Sequence, residues 1–540
     1  MSWKDMPEAI PQDEISEVVN TDIVVIGLGY SGTAAFRAAA ESGARVVALE
    51  RADEKHYSVW GRDIGHINSK FLESRGVPKI DPIVFFNEWM HRAANRANPE
   101  LVMTFAKRSG ENFDWLTDMV EDMSAVRVAF WEEGIDNRYS REALKGDFSL
   151  NGFHYWYGTA QFPGMFGDHR FPSLTQLMLM NQEKAKLLGG EVRFGTSAVQ
   201  LVKEESRVCA VIAKDAQGRF IRVNAAKGVI LAAGDFAGNQ EMVNDLVCDV
   251  SDLYMPGEPQ RKNTGRDGSG ICMGVWAGAR IESRPLPAMG GNTVTLMGVC
   301  PFGAVWLDGE LKRFCNEVFG VREIVGIAPN QHVRGRMFNL YDEHCIENEL
   351  SFSVPCHAGF DPAEKGAFDN INALIEYART HDDGVYEMET GPANGPSKRA
   401  KKKIFYGKTP EELAKNAGLD QTETENLIDS INRYNSFCEA GRDEDFGRDE
   451  KLLDPLTGIL FLQENRPPQI GSMMVTVGGL VTDGKQQVID EYYKRIPGLF
   501  ATGNCCGRRF GPQYSTPIAG VSIGMAVTLG REAGINAAMA

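Results

Sequence analysis

The 540-residue sequence has ten cysteines but no Cys-x-x-Cys pair, no Cys-x-x-Cys-His run and no zinc-ligand spacing. Those absences exclude a thioredoxin-like dithiol, a covalently attached haem and a structural zinc site, and no metal is expected. Iron–sulfur motifs are missing as well, so electrons must be exchanged with an external donor or acceptor. Cys505–Cys506 is an adjacent pair and is expected to be unbridged. No apolar stretch approaches the about 18–20 residues of a bilayer span. The leading segment, MSWKDMPEAIPQDEISEVVN, lacks a basic start and an apolar stretch. No signal peptide is visible there, and a cytoplasmic location is expected. Positive charge is also short: Lys and Arg number 57 against 73 Asp and Glu, a net charge of −16. Nucleic acid and anionic membranes are therefore not expected as partners. There is no internal repeat and no low-complexity segment.

What is present starts at Thr21–Arg51, TDIVVIGLGYSGTAAFRAAAESGARVVALER. Asp22–Ile26 reads as a buried parallel strand and Thr33–Ser42 as an Ala-rich helix. Arg45–Leu49 reads as a second strand. Between the first strand and the helix lies Gly27-x-Gly29-x-x-Gly32. In such a turn the first glycine bends the chain and the second lets backbone approach a pyrophosphate. The third allows close helix–strand packing. The helix N-terminus then favours the anion. Glu50, ending the second strand, can accept hydrogen bonds from a ribose diol. An acid there argues against a 2′-phosphate, leaving FAD or NAD.

Further along, helix is expected over Asp81–Met123, Ser173–Leu188 and Glu411–Glu439. Asp147–Pro172 is rich in aromatics and glycine and reads as a long loop. Strands are expected at Glu191–Phe194, Ala198–Lys203, Val208–Lys214 and Phe220–Val223, and a buried one enters Leu231-Ala-Ala-Gly234. The basic run Lys398–Lys403 reads as a solvated turn. Leu286 to about Met474 lacks the pattern of the flanking segments. The fold expected is α/β: a Rossmann-like dinucleotide-binding domain, residues 1–284 and 476–540, with an inserted α+β capping domain, residues 285–475.

Seven motifs in order give the chain a resemblance to flavoproteins of the fumarate reductase/succinate dehydrogenase type, with 3-ketosteroid dehydrogenases as a branch. They are the Gly27–Gly32 turn with Glu50, Leu231-Ala-Ala-Gly234, Thr264-Gly-Arg-Asp-Gly268 with Ala277-Gly-Ala, and Lys312-Arg-Phe-Cys-Asn-Glu317. Thr476-Val-Gly-Gly479, Pro497-Gly-Leu-Phe-Ala-Thr-Gly503 and Ser522-Ile-Gly-Met-Ala through Gly534 complete the set. The resemblance implies FAD. It implies that Gly27, Gly29, Tyr30, Ser31, Gly32, Glu50 and Arg51 hold the adenosine diphosphate half, with Val199 near adenine. Ser58, Asp63 and Gly65 would border the flavin. Ala233, Gly234 and Asp267 would lie along the cofactor, and Gly503 and Asn504 would meet the ribityl chain. Ser522 and Ile523 would start a helix aimed at the pyrimidine edge, stabilising charge on reduced flavin. Asn504 stands where the family usually has Glu. Val59 stands where membrane-bound members attach FAD through His, so binding is expected to be non-covalent.

The departures concern substrate. Fumarate reductases grip a dicarboxylate with His and Arg. Here that His falls on Val475 and the carboxylate-binding Arg on Pro517, while the acid Arg falls on Val321, beside Arg322, and the Glu and Arg of the relay that feeds it fall on Met297 and Cys300. No His occurs between His169 and His332. A dianion removed from water without paired charges is costly, so a larger, mostly apolar enone of 3-ketosteroid or bile-acid type is expected. Ketosteroid-type members exchange a proton through Tyr and polarise the ketone with a second Tyr and a backbone N–H, while flavin carries the hydride. The resemblance places that N–H at Gly520. Tyr514, Tyr155 and Tyr157 are the candidate tyrosines. Arg509 could bring a guanidinium to a substrate carboxylate, and Arg322 could act as acid–base. Two alternatives stay open: a reductase of an unsaturated carboxylic acid, and a flavin electron-transfer subunit without its own substrate.

Overall fold

The computed structural model describes residues 2–129, 131, 149–150, 152–164, 169–247, 265–290, 304–317, 336–345, 369–390, 400–465 and 473–540. Arg322, Val321, Met297 and Cys300 lie outside the described residues.

Strand β1, Ile15–Ile26, is the centre of an eight-stranded sheet. Its second half is the buried apolar run expected from the sequence. Its first half, largely exposed, was not expected. It forms because Glu17–Thr21 pairs in parallel with Ile221–Ala225. The partner is one continuous strand, Phe220–Leu231, where the sequence suggested two. β2, Val46–Leu49, follows helix α1, Tyr30–Glu41, and lies parallel to β1 on the other side. Glu191–Arg193 and Arg495–Ala501 extend the parallel set outward, to β2 and to Phe220–Leu231 respectively. Ser197–Glu204 and Arg207–Lys214 add the antiparallel meander. Ile26, Leu231 and Ala501 thus end at one edge of the sheet, the carboxyl edge where such folds bind ligands.

One face of the sheet is covered by α1 and the C-terminal helix Val521–Met539, which share a core with Ile23, Val25 and Ile230. These helices touch through small residues. A Cβ on Gly530 would lie 2.4 Å from the Ser31 carbonyl oxygen, and one on Gly534 equally close to that of Ala35. That contact sets the middle of the C-terminal helix against the first turn of α1. Val208, Val211, Met242 and Ile271 pack on the other face.

The expected helix over Asp81–Met123 is two, Pro82–Arg92 and Pro99–Leu116. Ala94 and Asn95 are left-handed between them, and Asn98 caps the second. Glu411–Glu439 splits likewise into Pro410–Ala417 and Gln421–Ala440, at left-handed Gly418 and an Asp420–Glu423 capping box. The Asp147–Pro172 stretch contains short strands, among them Phe153–His154 and Thr159–Gln161.

Within the inserted region a separate five-stranded antiparallel sheet runs Val305–Leu307, Met337–Asp342, Leu460–Asn465, Ala400–Gly407, Val385–Thr390. Residues 400–403 of the basic run belong to this sheet and are not a turn, while 398 and 399 lie outside the described residues. Lys403 pairs in register with Glu387, so opposite charges stand across the strands there.

Candidate active site and cofactor seat

The turn after β1 is shaped by its glycines. Gly27 has φ +90°, and a Cβ there would lie 2.7 Å from the Ala232 carbonyl oxygen. A Cβ on Gly32 would lie 1.8 Å from the Gly27 carbonyl oxygen, so helix and turn are in direct backbone contact. Gly29 differs: a Cβ there would meet nothing within 4 Å. No side chain caps α1, so its first N–H groups face that open space. The turn is held from behind by Thr33 Oγ1 and the buried Tyr57 hydroxyl, which both donate to the Leu28 carbonyl, at 2.9 and 2.6 Å.

Glu50 sits beside this turn. Its two carboxylate oxygens accept the N–H groups of Leu28 and Ala52, at 2.8 and 2.9 Å. Its backbone bonds to Arg193 and Thr196, which sets Val199 on the adjoining strand Ser197–Glu204. Arg51 and Asp267, both assigned to the cofactor, form an exposed ion pair at 3.2 Å. Tyr30 donates to the Trp60 carbonyl at 2.7 Å. Gly61 is close to Tyr30 and Ile523, which gathers the segment after Ser58 against the start of the C-terminal helix. Val59 is buried and offers no atom for a covalent bond to a flavin.

Across the carboxyl edge lies the loop after Ala501. Gly503 has φ +58°, and a Cβ there would be 2.2 Å from Ser31 Oγ. Asn504 is therefore next to the first turn of α1. Cys505 donates its thiol to the Gly234 carbonyl at 3.3 Å, closing the seat beside Ala233 and left-handed Gly234. Cys505 and Cys506 are free and buried.

The C-terminal helix begins at left-handed Gly520, φ +73°, whose carbonyl accepts the Gly65 N–H at 2.9 Å. Gly65 ends the strand Asp63–Gly65, which pairs with Thr159–Gln161, and Gln161 donates to Asp63 at 3.3 Å. Tyr514 is fully buried, and its hydroxyl oxygen accepts the Ser522 N–H at 3.1 Å. The structure thus brings Tyr514, Gly520 and Ser522 to one helix end. Tyr155 lies under the Arg92 guanidinium at 4.4 Å, and Tyr157 packs on Trp131 at 4.9 Å. Both are buried, and Trp156 between them donates its N–H to the Pro517 carbonyl at 3.0 Å.

Three buried groups escaped the sequence reading. Arg92 pairs with Glu88 at 2.6 Å and donates to Ser515 Oγ at 3.3 Å and to the His154 carbonyl at 2.8 Å. It ties the loop of Tyr155 to that of Tyr514. In sequence it is only an i,i+4 charge pair on an expected helix. Asp235 accepts the Ala237 N–H at 2.8 Å, and burial raises its pKa against the nearby Arg266. Glu282 accepts the N–H groups of Gly479 and Arg508, each at 2.8 Å, and burial pushes its pKa up to about 7. Neither acid has a local sequence signal. Arg508 and Arg509, expected as a pair, separate: Arg508 is half-buried and Arg509 wholly buried.

The residues fit a bound dinucleotide. Space opens over Gly29 and Gly234 where side chains would intrude. Two buried polar atoms at the Asn504 loop, Thr502 Oγ1 and Arg509 Nη1, have no protein partner.

Comparison with known proteins agrees. The profile of the family described as FAD binding domain matches residues 22–521. A fumarate reductase (cytochrome) of Shewanella frigidimarina is 23% identical over 524 residues, 96% of this chain and 77% of that enzyme. A vinyl phenol reductase of Lactiplantibacillus plantarum is 24% identical over 535 residues, 96% of both chains. Among solved structures, 3-ketosteroid-Δ4-(5α)-dehydrogenase from Rhodococcus jostii RHA1, in complex with 4-androstene-3,17-dione, superposes with TM-score 0.69 at 22% identity. The match covers 98% of this chain and 99% of that one. Among the described residues no helix is long and apolar enough to cross a membrane.

Proposed function

We propose, on the premise that this chain belongs to the FAD binding domain family over residues 22–521, that it is an FAD-dependent oxidoreductase of carbon–carbon double bonds conjugated to a carbonyl. Its substrate is an enone of 3-ketosteroid or bile-acid size. The relatives named above include enzymes of fumarate, vinyl phenol and a ketosteroid, which share an unsaturated or saturable carbon pair.

One observation carries the substrate class. Val475, at the position expected for a carboxylate-binding His, belongs to an apolar cluster with Met474, Met289, Val477, Trp156, Ile518 and Tyr514. Such a wall accepts hydrocarbon, at roughly 25 cal/mol for each Å² removed from water. It leaves a small dianion without partners, at a cost of several kcal/mol.

FAD, when bound, supplies the two-electron chemistry. The chain's own residues do the rest. The Gly520 N–H, at the start of a helix, polarises the substrate carbonyl. Tyr514 exchanges the proton, with Tyr155 and Tyr157 the other hydroxyls in reach of the same loops. Arg322 is a further proton donor candidate. Residues 285–475 cap the seat formed by 1–284 and 476–540 and exclude water. Electrons come from or go to a separate protein or small carrier.

The role of Tyr514 is tested by Tyr514→Phe. Turnover of a 3-keto-Δ4 steroid should fall by about 100-fold or more, the scale of a lost general acid–base group. FAD content should be retained. Turnover within threefold of wild type assigns the hydroxyl to holding the Ser522 N–H alone and passes the proton role to Tyr155 or Tyr157.

A further inference from the structure

Among the described residues, Arg509 is a buried cation without a counter-ion in hydrogen-bonding reach. Its side chain is wholly inaccessible. Nε donates to the Cys506 carbonyl at 2.8 Å. Nη2 donates to the Val477 carbonyl at 2.9 Å and to Asn504 Oδ1 at 2.8 Å. A guanidinium has five N–H donors. Those three bonds use three of them, and Nη1 has no partner. Among the described residues no carboxylate forms an ion pair with Arg509. The acid that acts on it through space is Glu282, whose oxygens are committed to the Gly479 and Arg508 N–H groups.

This arrangement is costly in the isolated chain. A buried, unpaired charge and an unsatisfied buried donor are both strongly unfavourable. The place where the deficit arises is informative. Asn504 follows Gly503, which touches Ser31 in the first turn of α1. Val477 lies in the Thr476–Gly479 stretch, and Gly479 is in contact with the Asn504–Cys505 backbone. Arg509 therefore stands behind the two backbone segments that border the sheet's carboxyl edge. Because a guanidinium only donates, Asn504 must turn its oxygen toward Arg509. Its amide N–H₂ group is then directed away, available to a ligand's hydroxyl or carbonyl oxygen.

We propose that Arg509 acts on the cofactor from behind Asn504: it fixes the donor end of Asn504 toward FAD, and its buried charge favours the reduced, more negative cofactor over the oxidised one. It is a positioning and potential-tuning group and not a clamp for a substrate carboxylate, since its bonded atoms already serve protein oxygens. The inference rests on FAD binding and is independent of the substrate.

The experiment measures two quantities on purified protein: FAD affinity, by titrating apoprotein, and the two-electron midpoint potential of the holoenzyme, by dye equilibration. Arg509→Met removes the charge. Asn504→Asp keeps both shapes but sets a carboxylate against the guanidinium and neutralises it. Both variants should lower the potential by about 30 mV or more, equal to a tenfold loss of preference for reduced over oxidised FAD. Arg509→Met should also bind oxidised FAD more weakly. A purely structural Arg509 would lower thermal stability while leaving the potential unchanged, and that result overturns the proposal. If Arg509→Met does not fold, Asn504→Asp decides: an unchanged potential in that variant overturns it equally.

Discussion

Gly29→Val leaves the apoprotein folded and removes FAD. The glycine has φ −63° and ψ −165°, extended backbone that any residue adopts. A Cβ there meets no protein atom within 4 Å. The valine methyl groups therefore fill only the space in front of the uncapped N-terminus of α1. That space is where the fold accepts a pyrophosphate. Affinity for FAD should fall at least about 100-fold, or ~2.7 kcal/mol, while the apoprotein unfolds within about 2 °C of wild-type apoprotein. FAD titration and thermal unfolding of the two apoproteins check this. A purified variant that keeps stoichiometric FAD would show that the turn does not face the cofactor.

Gly32→Val fails differently. Its Cβ would lie 1.8 Å from the Gly27 carbonyl oxygen and 2.9 Å from the carbonyl carbon. The obstacle is backbone at the end of β1, so no side-chain rotation relieves it. Ordinary overpacking costs about 1–3 kcal/mol, and a clash with main chain at the centre of the sheet lies at or beyond the top of that range. We expect loss of both stability and FAD, seen as a large drop in the apoprotein melting temperature or as insoluble protein. A variant as stable as Gly29→Val would contradict the close contact between α1 and the turn. Two glycines of one motif are thus separated by what each one touches.

The sequence reading and the structure part company along physical lines. The turn, α1, β2 and Glu50 were legible because their constraints are local. Glycine spacing, a short buried apolar run and an acid at a strand end each act within a few residues. The exposed half of β1 was not, because Glu17–Thr21 owes its conformation to pairing with a strand some 200 residues away in sequence. The lysine strand failed for the same reason: Lys403 stands opposite Glu387 on the neighbouring strand. Helix breaks at Ala94–Asn98 and Gly418–Asp420 were hidden by apolar periodicity that continues across them.

Side-chain roles were the hardest to read. Arg508 and Arg509 are neighbours of one type, yet the left-handed backbone of Arg508, φ +54°, accompanies one half-buried and one wholly buried side chain. Tyr514 was expected near the cofactor and does lie at the end of the C-terminal helix, but as the partner of Ser522 within a packed cluster. Arg92 binds two loops, at His154 and Ser515, that lie far apart in the chain, which no local pattern reveals.

We propose that an apolar wall stands here in place of the charged grip of a diacid reductase. Anaerobic mixing of the reduced holoenzyme with fumarate, and separately with a 3-keto-Δ4 steroid, tests it most directly, with flavin absorbance as the readout. Loss of the paired charges is worth several kcal/mol against a dianion, and each 1.36 kcal/mol is tenfold in rate. The steroid should reoxidise the enzyme at least about 100-fold faster than fumarate does. Rapid reoxidation by fumarate with none by the steroid would contradict the account.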